Sequence, residues 1–382
     1  MHRKPVRRST GLFFAGVALA ASASLGGFAG AAPLPINDTT VNAKIPGWMP
    51  RHGHAQPIVA VIGDNAGTEL SDFVIPYGVL KRAGIDTEAL AVHDGPFRFR
   101  PALKARLDDT VAGFDARHPE GADYVIVPDA TNRKDPALLA WIVAQANKGA
   151  TVVGVCDGAR ILGNAGLLEG KWATAHWASE SQRLRESPGT HWIRDLRYVV
   201  DGNVVTSSGI SAAMPTSIAL VEAIAGTQRA SALASELGVA DWSPRHDSDA
   251  FRPRYGNLRA FAVKLVVNPY LHGKQLIGVP IADGVDEIAL AVTADAYSRT
   301  GRSQAVSISA TSATVTSRNG LVFVADAVGA PGDIDVDAVL PALDAAATAQ
   351  VFDTALAGVA ARYGRRTAYG VALDFEYPGY MP

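Results

Sequence analysis

Thr151–Trp177 reads TVVGVCDGARILGNAGLLEGKWATAHW. Apart from Gly154, the residues from Thr151 to Val155 are β-branched, and they run as a strand straight into Cys156. Gly158 to Ala165 then reads as a helix closed by Gly166. A side chain on such a turn is thrust outward, and the helix N-terminus beside it favours a thiolate. The free backbone N–H groups of that terminus can hold an oxyanion. Gly154 and Gly158 lie two residues to either side of Cys156. That is the spacing of a nucleophile elbow with cysteine in the serine place.

Working outward, Ile58–Ile62 and Tyr124–Val127 are continuous apolar runs, as strands covered on both faces require. A helix is expected from about Glu69 to Ala83, stopped by Gly84, and a strand over Thr87–Val92. Asp135 and Pro136 open a helix that runs to Gly149. Tyr198–Val200 and Asn203–Thr206 flank Asp201-Gly202 as a hairpin, and a helix from Pro215 stops at Gly226. The alternation predicts an α/β fold over residues 57–226, an open and mostly parallel sheet with helices on both faces, a flavodoxin-like sandwich.

Residues 227–277 read as a linker, rich in Pro, Arg, Asp and Ser around Trp242–Tyr255. Beyond them the pattern partly returns. Asp286–Leu290 is similar to Ser71–Ile75, Gln304–Ser309 to Thr87–Val92, and Thr354–Gly364 to Ser217–Gly226. Residues 278–382 are therefore expected to be a smaller, degenerate α/β repeat, a shortened second copy without a nucleophile. At the other end, Arg3, Lys4, Arg7 and Arg8 precede an apolar, small-residue stretch from Gly11 to Gly30 and an Ala29-Gly30-Ala31 cleavage pattern. Residues 1–32 read as a signal peptide, with Arg7-Arg8 as a twin-arginine feature. A periplasmic or secreted protein is expected, with no stable membrane span after cleavage; an uncleaved anchor is the other reading of the same stretch.

The chain of 382 residues is 48% hydrophobic with a formal charge of −2, ample for a core and without a nucleic-acid footprint. It has one cysteine, which excludes an intramolecular disulfide and a thiolate zinc site. No metal site is expected. His246-Asp247-Ser248-Asp249 is read as a solvated turn, and Arg365-Arg366 as a helix C-terminal charge pair.

A thiolate needs partners. His176 follows in Ala-Thr-Ala-His-Trp (173–177), and Glu69 and Asp72 stand at the start of the first helix, past the C-terminal edge of the first strand, where open α/β sheets place their sites. Residues 57–226 resemble the ThiJ/PfpI superfamily, the class I glutamine amidotransferase-like fold. Within it they are most similar to isonitrile hydratases and the sensor domains of AraC-type regulators. The motifs that carry the resemblance are the stretch around Cys156, Asp72–Tyr77 (DFVIPY), Asp135–Trp141 (DPALLAW) and Asp201–Gly209 (DGNVVTSSG). The resemblance implies Cys156 as nucleophile, Asp72 as its proton-transfer partner and His176 as the orienting histidine. Glu69 is a second candidate acid. Backbone N–H groups at Asp129, Ala130 and Asp157 are the implied oxyanion donors, and no cofactor is required. Val127–Ala130 (VPDA) stands where the family has Pro-Gly-Gly, and an anion at Asp157 should raise the thiol pKa against the helix terminus.

The expected function is a cysteine-dependent hydratase or hydrolase acting on a small isonitrile- or carbonyl-type electrophile through a covalent Cys156 adduct. The alternatives are an envelope binding or redox-sensing protein without turnover, and an amidase- or peptidase-like hydrolase. The expected partner is a small molecule, with the chain as a homodimer or, through residues 278–382, an intramolecular pseudo-dimer.

Overall fold

In the computed structural model of the chain, which describes residues 44–51, 55–343 and 350–380, Ile58–Gly63 (β1) is buried at every position. Strand side chains alternate between faces. Val59 and Val61 enter one core, while Ile58, Ala60 and Ile62 enter another on the opposite side of the sheet. A two-sided core explains why the run is apolar throughout instead of alternating. The expected export segment, residues 1–32, lies outside the described residues.

After β1 the main elements are α1 (Leu70–Arg82), β2 (Asp86–Ala91), β3 (Phe97–Arg100), β4 (Lys104–Arg106), β5 (Asp109–Thr110), β6 (Tyr124–Val127), α2 (Pro136–Asn147), β7 (Thr151–Gly154), α3 (Gly158–Asn164), β8 (Tyr198–Asp201), β9 (Val204–Ser207) and α4 (Ala213–Glu236). Seven strands pair in the order β8-β9-β7-β6-β1-β2-β5. Every pairing is parallel except the β8–β9 hairpin. The fold is the open α/β sheet that the sequence predicts. Asp135 caps α2 by accepting from the amides of Ala137 and Leu138, with Pro136 in the first turn. The C-terminal ends of β1, β6 and β7 converge on one edge and carry the site.

A second, smaller α/β region follows, with β10 (Gln275–Ile281), α5 (Glu287–Ser298), β11 (Ser303–Ser309), β12 (Thr314–Thr316), β13 (Val322–Val324), β14 (Ala327–Val328), β15 (Ala338–Val339), α6 (Val351–Tyr363) and α7 (Arg365–Phe375). Its four-stranded sheet runs β14-β11-β10-β15, all parallel. This is the order β5-β2-β1-β6 of the larger sheet. One constant spacing along the chain carries Ile58 to Gln275, Leu70 to Glu287, Asp86 to Ser303 and Phe97 to Thr314, each the first residue of matching elements. α4 breaks at Gly226 (φ 83°, ψ 165°), and α6 gives way to α7 at Gly364 with nearly the same backbone (φ 88°, ψ 154°). The sequence comparison of Asp286 with Ser71 is two residues out of register, since Asp286 caps α5 as Glu69 caps α1. Among the described residues the smaller sheet has no counterpart of β7, β8 or β9.

The two regions share one core. α1 is buried from Leu70 to Leu80 because one side meets the sheet and the other meets α5. At Gly78 a Cβ would come within 2.6 Å of Glu287 Oε1, so glycine permits the close crossing. β4 also pairs antiparallel with β13, Ala105 opposite Phe323 and Arg106 opposite Val322.

Two expectations are corrected here. Residues 227–277 are not an irregular linker. They hold the second half of α4 and a helical run over 258–271 that packs on α7. Arg365-Arg366 opens α7 and is not a C-terminal charge pair. Among the described residues, Ile210–Glu236 is long and apolar enough to cross a membrane by length and composition, and 61% of its apolar window is buried within the fold.

Candidate active site

Cys156 follows β7 by two residues and has φ 56°, a left-handed backbone that a non-glycine residue adopts only when its surroundings enforce it. Gly158 is one such constraint. A Cβ there would lie 1.9 Å from the Val127 carbonyl oxygen, so the start of α3 approaches the end of β6 more closely than any side chain allows. Gly158→Ala should lower unfolding stability by about 2–4 kcal/mol, read from the denaturant midpoint, by forcing the elbow away from β6.

The elbow orients the thiol, but its surroundings do not make a thiolate. Cys156 is buried, and its own amide donates to Ser207 Oγ at 3.3 Å. Burial pushes the thiol pKa well above its ordinary value, and the carboxylates of Asp72, Asp157, Asp129 and Glu69 push it further. The expected gain from the seven-residue α3 is outweighed. The alkylation rate with iodoacetamide should therefore keep rising above pH 8.5. Asp157→Asn removes one anion and should move that rise to lower pH; an unchanged profile would contradict the electrostatic account.

Asp72, in the first turn of α1, is wholly buried. Its Oδ2 accepts from the Asp129 amide at a long 3.5 Å, and Oδ1 has no partner among the described residues. Burial, then Glu69 and Asp129, raise its pKa well above its ordinary value, which favours the protonated form. Glu69 caps α1 by accepting from the Asp72 amide at 2.7 Å, and its Oε1 takes an ion pair from Arg299 at 2.5 Å. Burial and Asp295 raise it to about 8 despite that cation.

The oxyanion side differs from expectation. The Asp129 amide is directed to Asp72, and the Ala130 amide donates to the Asp129 carboxylate at 2.9 Å. That carboxylate fills the corner where a glycine pair was expected to leave space, and it is gripped by Arg133 at 2.5 and 2.7 Å and by Arg100. Both amides are thus directed to carboxyl oxygens. Asp157 supplies the remaining amide, with its side chain held by Arg160 at 3.2 Å. Arg133 and Arg160 also line a cavity of about 250 Å³ with Asn132, Lys134 and Asn164.

His176 is not arranged for proton transfer. Its Nε2 hydrogen-bonds the Asp374 carbonyl at 2.8 Å, and its Nδ1 accepts from the Ala178 amide at 3.1 Å. Both ring nitrogens are committed to main chain, and burial lowers its pKa, so it is a neutral tether between the 173–177 segment and the end of α7. Glu376, unforeseen in the sequence, sits beside it in a left-handed backbone (φ 52°). It accepts from the Trp177 amide at 2.9 Å and pairs with His246 at 2.7 Å. His246, expected in a solvated turn, is a buried partner instead.

Residues 58–223 match the family described as DJ-1/PfpI. They form a DJ-1/PfpI domain. Isonitrile hydratase of Pseudomonas putida is 34% identical over 126 residues, 32% of this chain and 54% of that protein. The HTH-type transcriptional regulator CdhR of Pseudomonas aeruginosa is 29% identical over 123 residues, 32% of this chain and 36% of that protein. Deglycase PfpI of Pyrococcus furiosus is 28% identical over 140 residues, 36% of this chain and 81% of that protein. The chain thus spans about half the length of the hydratase and about a third of the regulator. Among solved structures, Drosophila melanogaster DJ-1beta aligns with a TM-score of 0.45 at 22% identity, over 49% of this chain and 100% of that one. In the DJ-1/PfpI domain of the present chain Asp72 and Glu69 act electrostatically on the Cys156 thiol at the elbow, while His176 is turned to the backbone.

Arg299 is the residue that the sequence reading missed at this site. It comes from the second region, bonds Glu69, and is also held by Asp295 at 2.5 Å. Arg82 of α1 makes the reciprocal contact with Asp286, the cap of α5, at 2.5 Å. The spacing that relates Glu69 to Asp286 also relates Arg82 to Arg299.

Proposed function

We propose that the DJ-1/PfpI domain is a cysteine-dependent hydratase for a small isonitrile. The observation that carries this reading is a buried thiol on a left-handed elbow under the influence of Asp72, a wholly buried carboxyl whose Oδ1 has no partner among the described residues. Attack on a carbonyl or amide creates an alkoxide that needs preformed donors. Here the Asp129 and Ala130 amides are directed to the carboxyl groups of Asp72 and Asp129, and Asp157 adds a negative side chain. That disfavours the carbonyl-type and amidase- or peptidase-like readings. Attack on an isonitrile carbon instead creates a carbanion, which needs an acid and no oxyanion donors.

In this reading Sγ bonds to the terminal carbon of R–NC as Asp72 delivers its proton to that carbon. The thiol proton passes to the carboxylate so formed. The adduct is the thioimidate R–N=CH–S–Cys156. Water adds to its carbon, one water proton going to nitrogen and the other to sulfur as the C–S bond breaks, and the formamide R–NH–CHO leaves. The reading is tested by incubating the chain with a simple alkyl isonitrile and following formamide by mass spectrometry. Absence of formamide above the Cys156→Ser background would refute it and favour an envelope binding protein without turnover. Oxidation sensing is less favoured, because a thiol held above its ordinary pKa oxidises slowly.

The matching strand order, the two glycine breaks and the reciprocal arginine pairs support residues 275–375 as a second copy that has lost its elbow and completes an intramolecular pseudo-dimer. Export through residues 1–32 belongs to the same reading and is tested by the N-terminal sequence of the protein recovered from outside the cytoplasm.

A further inference from the structure

Leu258–Leu271 forms a continuous helical run, α-helical at both ends with a π-helical turn over Val263–Val267. Its polarity is reversed relative to an ordinary surface helix. The inward side carries Ala260 and the polar Asn257, Lys264 and Asn268, all buried, with Phe261 packed beside them against Trp177. Asn257 donates to the Ala250 and Arg252 carbonyls and accepts from Tyr369. Lys264 pairs with Asp374, and Asn268 bonds the Thr300 carbonyl and Thr367 Oγ1. The outward side carries Leu258, Ala262, Leu265, Val266 and Pro269 at helical spacing, continued by Tyr270 and Leu271. Tyr270 and Leu271 are 80% and 74% exposed, and Tyr255 just before the run is 95% exposed. A contiguous apolar face whose polar side is locked into the protein marks a contact surface.

Charge indicates the occupant. No carboxylate occurs between Asp249 and Asp283, while Arg254, Arg259, His272 and Lys274 stand exposed around the apolar face. Arg365 and Arg366 immediately precede Thr367, the partner of Asn268, and occupy the start of α7, where the helix dipole disfavours cations. A basic rim on a chain with formal charge −2 is a local feature. Two copies meeting through this face would bring like charges together. An anionic lipid surface meets both demands, with acyl chains for the leucines, valines and tyrosines and headgroups for the arginines and lysine.

We propose that the outward face of Leu258–Leu271, with Tyr255 and its basic rim, docks on an anionic lipid membrane surface. The test is flotation of the full chain with vesicles of phosphatidylcholine alone or mixed with phosphatidylglycerol, comparing the wild type with Leu265→Glu/Tyr270→Glu and with Arg254→Ala/Arg259→Ala. All three proteins share residues 1–43, so the readout is the difference between them. Each variant should lose about tenfold or more in partitioning to the anionic vesicles, and wild-type binding should fall with added salt. Hydrogen exchange with vesicles present should gain protection within 254–276. Equal partitioning of wild type and variants, no preference for the anionic lipid, or no local protection would overturn the proposal. So would self-association without vesicles that Leu265→Glu abolishes, which assigns the face to a second copy, or binding only to an acidic protein partner.

Discussion

Cys156→Ser should reduce isonitrile hydration by at least about a thousandfold in kcat/KM, with unfolding stability nearly unchanged. A serine hydroxyl has almost the shape of the thiol and can occupy the same left-handed elbow position, so the fold has no reason to respond. The chemistry does, because an alcohol is a far weaker nucleophile, and the carboxyl-rich surroundings that burden the thiol would burden an alkoxide more. Asp72→Asn should produce a loss of similar kind by removing the proton that the carbon must receive. The pH profile separates this mechanism from simple thiolate attack. If acid donation limits the reaction, kcat/KM should fall as pH rises through about 8, where Glu69 beside Asp72 gives up its proton. Alkylation by iodoacetamide, which needs only thiolate, should rise over the same range. Two slopes of the same sign would show that Asp72 does not act as the donor.

The sheet, the elbow and the two acids at the start of α1 were legible because each rests on local chemistry. Val59 and Ile62 need a two-sided core, Gly158 needs a position without a Cβ, and Glu69 and Asp72 lie within one helical turn. What escaped the sequence depends on contacts between distant segments. Nothing near His176 announces that Asp374 and Ala178 will take both of its nitrogens, and nothing near His246 announces Glu376. The β4–β13 pairing joins two three-residue strands, one of them Lys104-Ala105-Arg106, too short for period-two reading. The occupied Asp129 corner was half visible, since the aspartate stood where glycine was expected, but its grip by Arg100 and Arg133 was not. Arg299 could have been found from the repeat alone had Asp286 been aligned with Glu69 instead of Ser71.

That arginine carries the second large effect. Arg299→Met should destabilise the folded chain by about 3–5 kcal/mol at pH 8, because it leaves Glu69 and Asp295, both buried, without their shared cation. The loss should depend on pH in a definite sense. Glu69 has a folded pKa of about 8, above its ordinary 4.5, so the folded state binds the extra proton. Stability tied to that proton is fully present below about pH 4.5 and declines as pH rises through 8. Without Arg299 Glu69 holds its proton more tightly in the folded state, so the gap between variant and wild type should be small near pH 5 and widen toward pH 8. A gap that stays below about 1 kcal/mol across this range would mean that solvent, reaching the partly exposed guanidinium, already does its work. Arg82→Met provides the control, because it strips the same cation from Asp286 at the mirror position. Both variants should lose stability, but only Arg299→Met should shift the falling limb of the hydration profile to higher pH, since Arg299 pairs with Glu69, one of the charges that act on the Cys156 thiol, while Arg82 pairs with Asp286. Arg299→Lys should restore part of the stability and return the limb toward its wild-type position. The second region would then act on the chemistry through one side chain, as a positioning residue for a nucleophile that it does not itself possess.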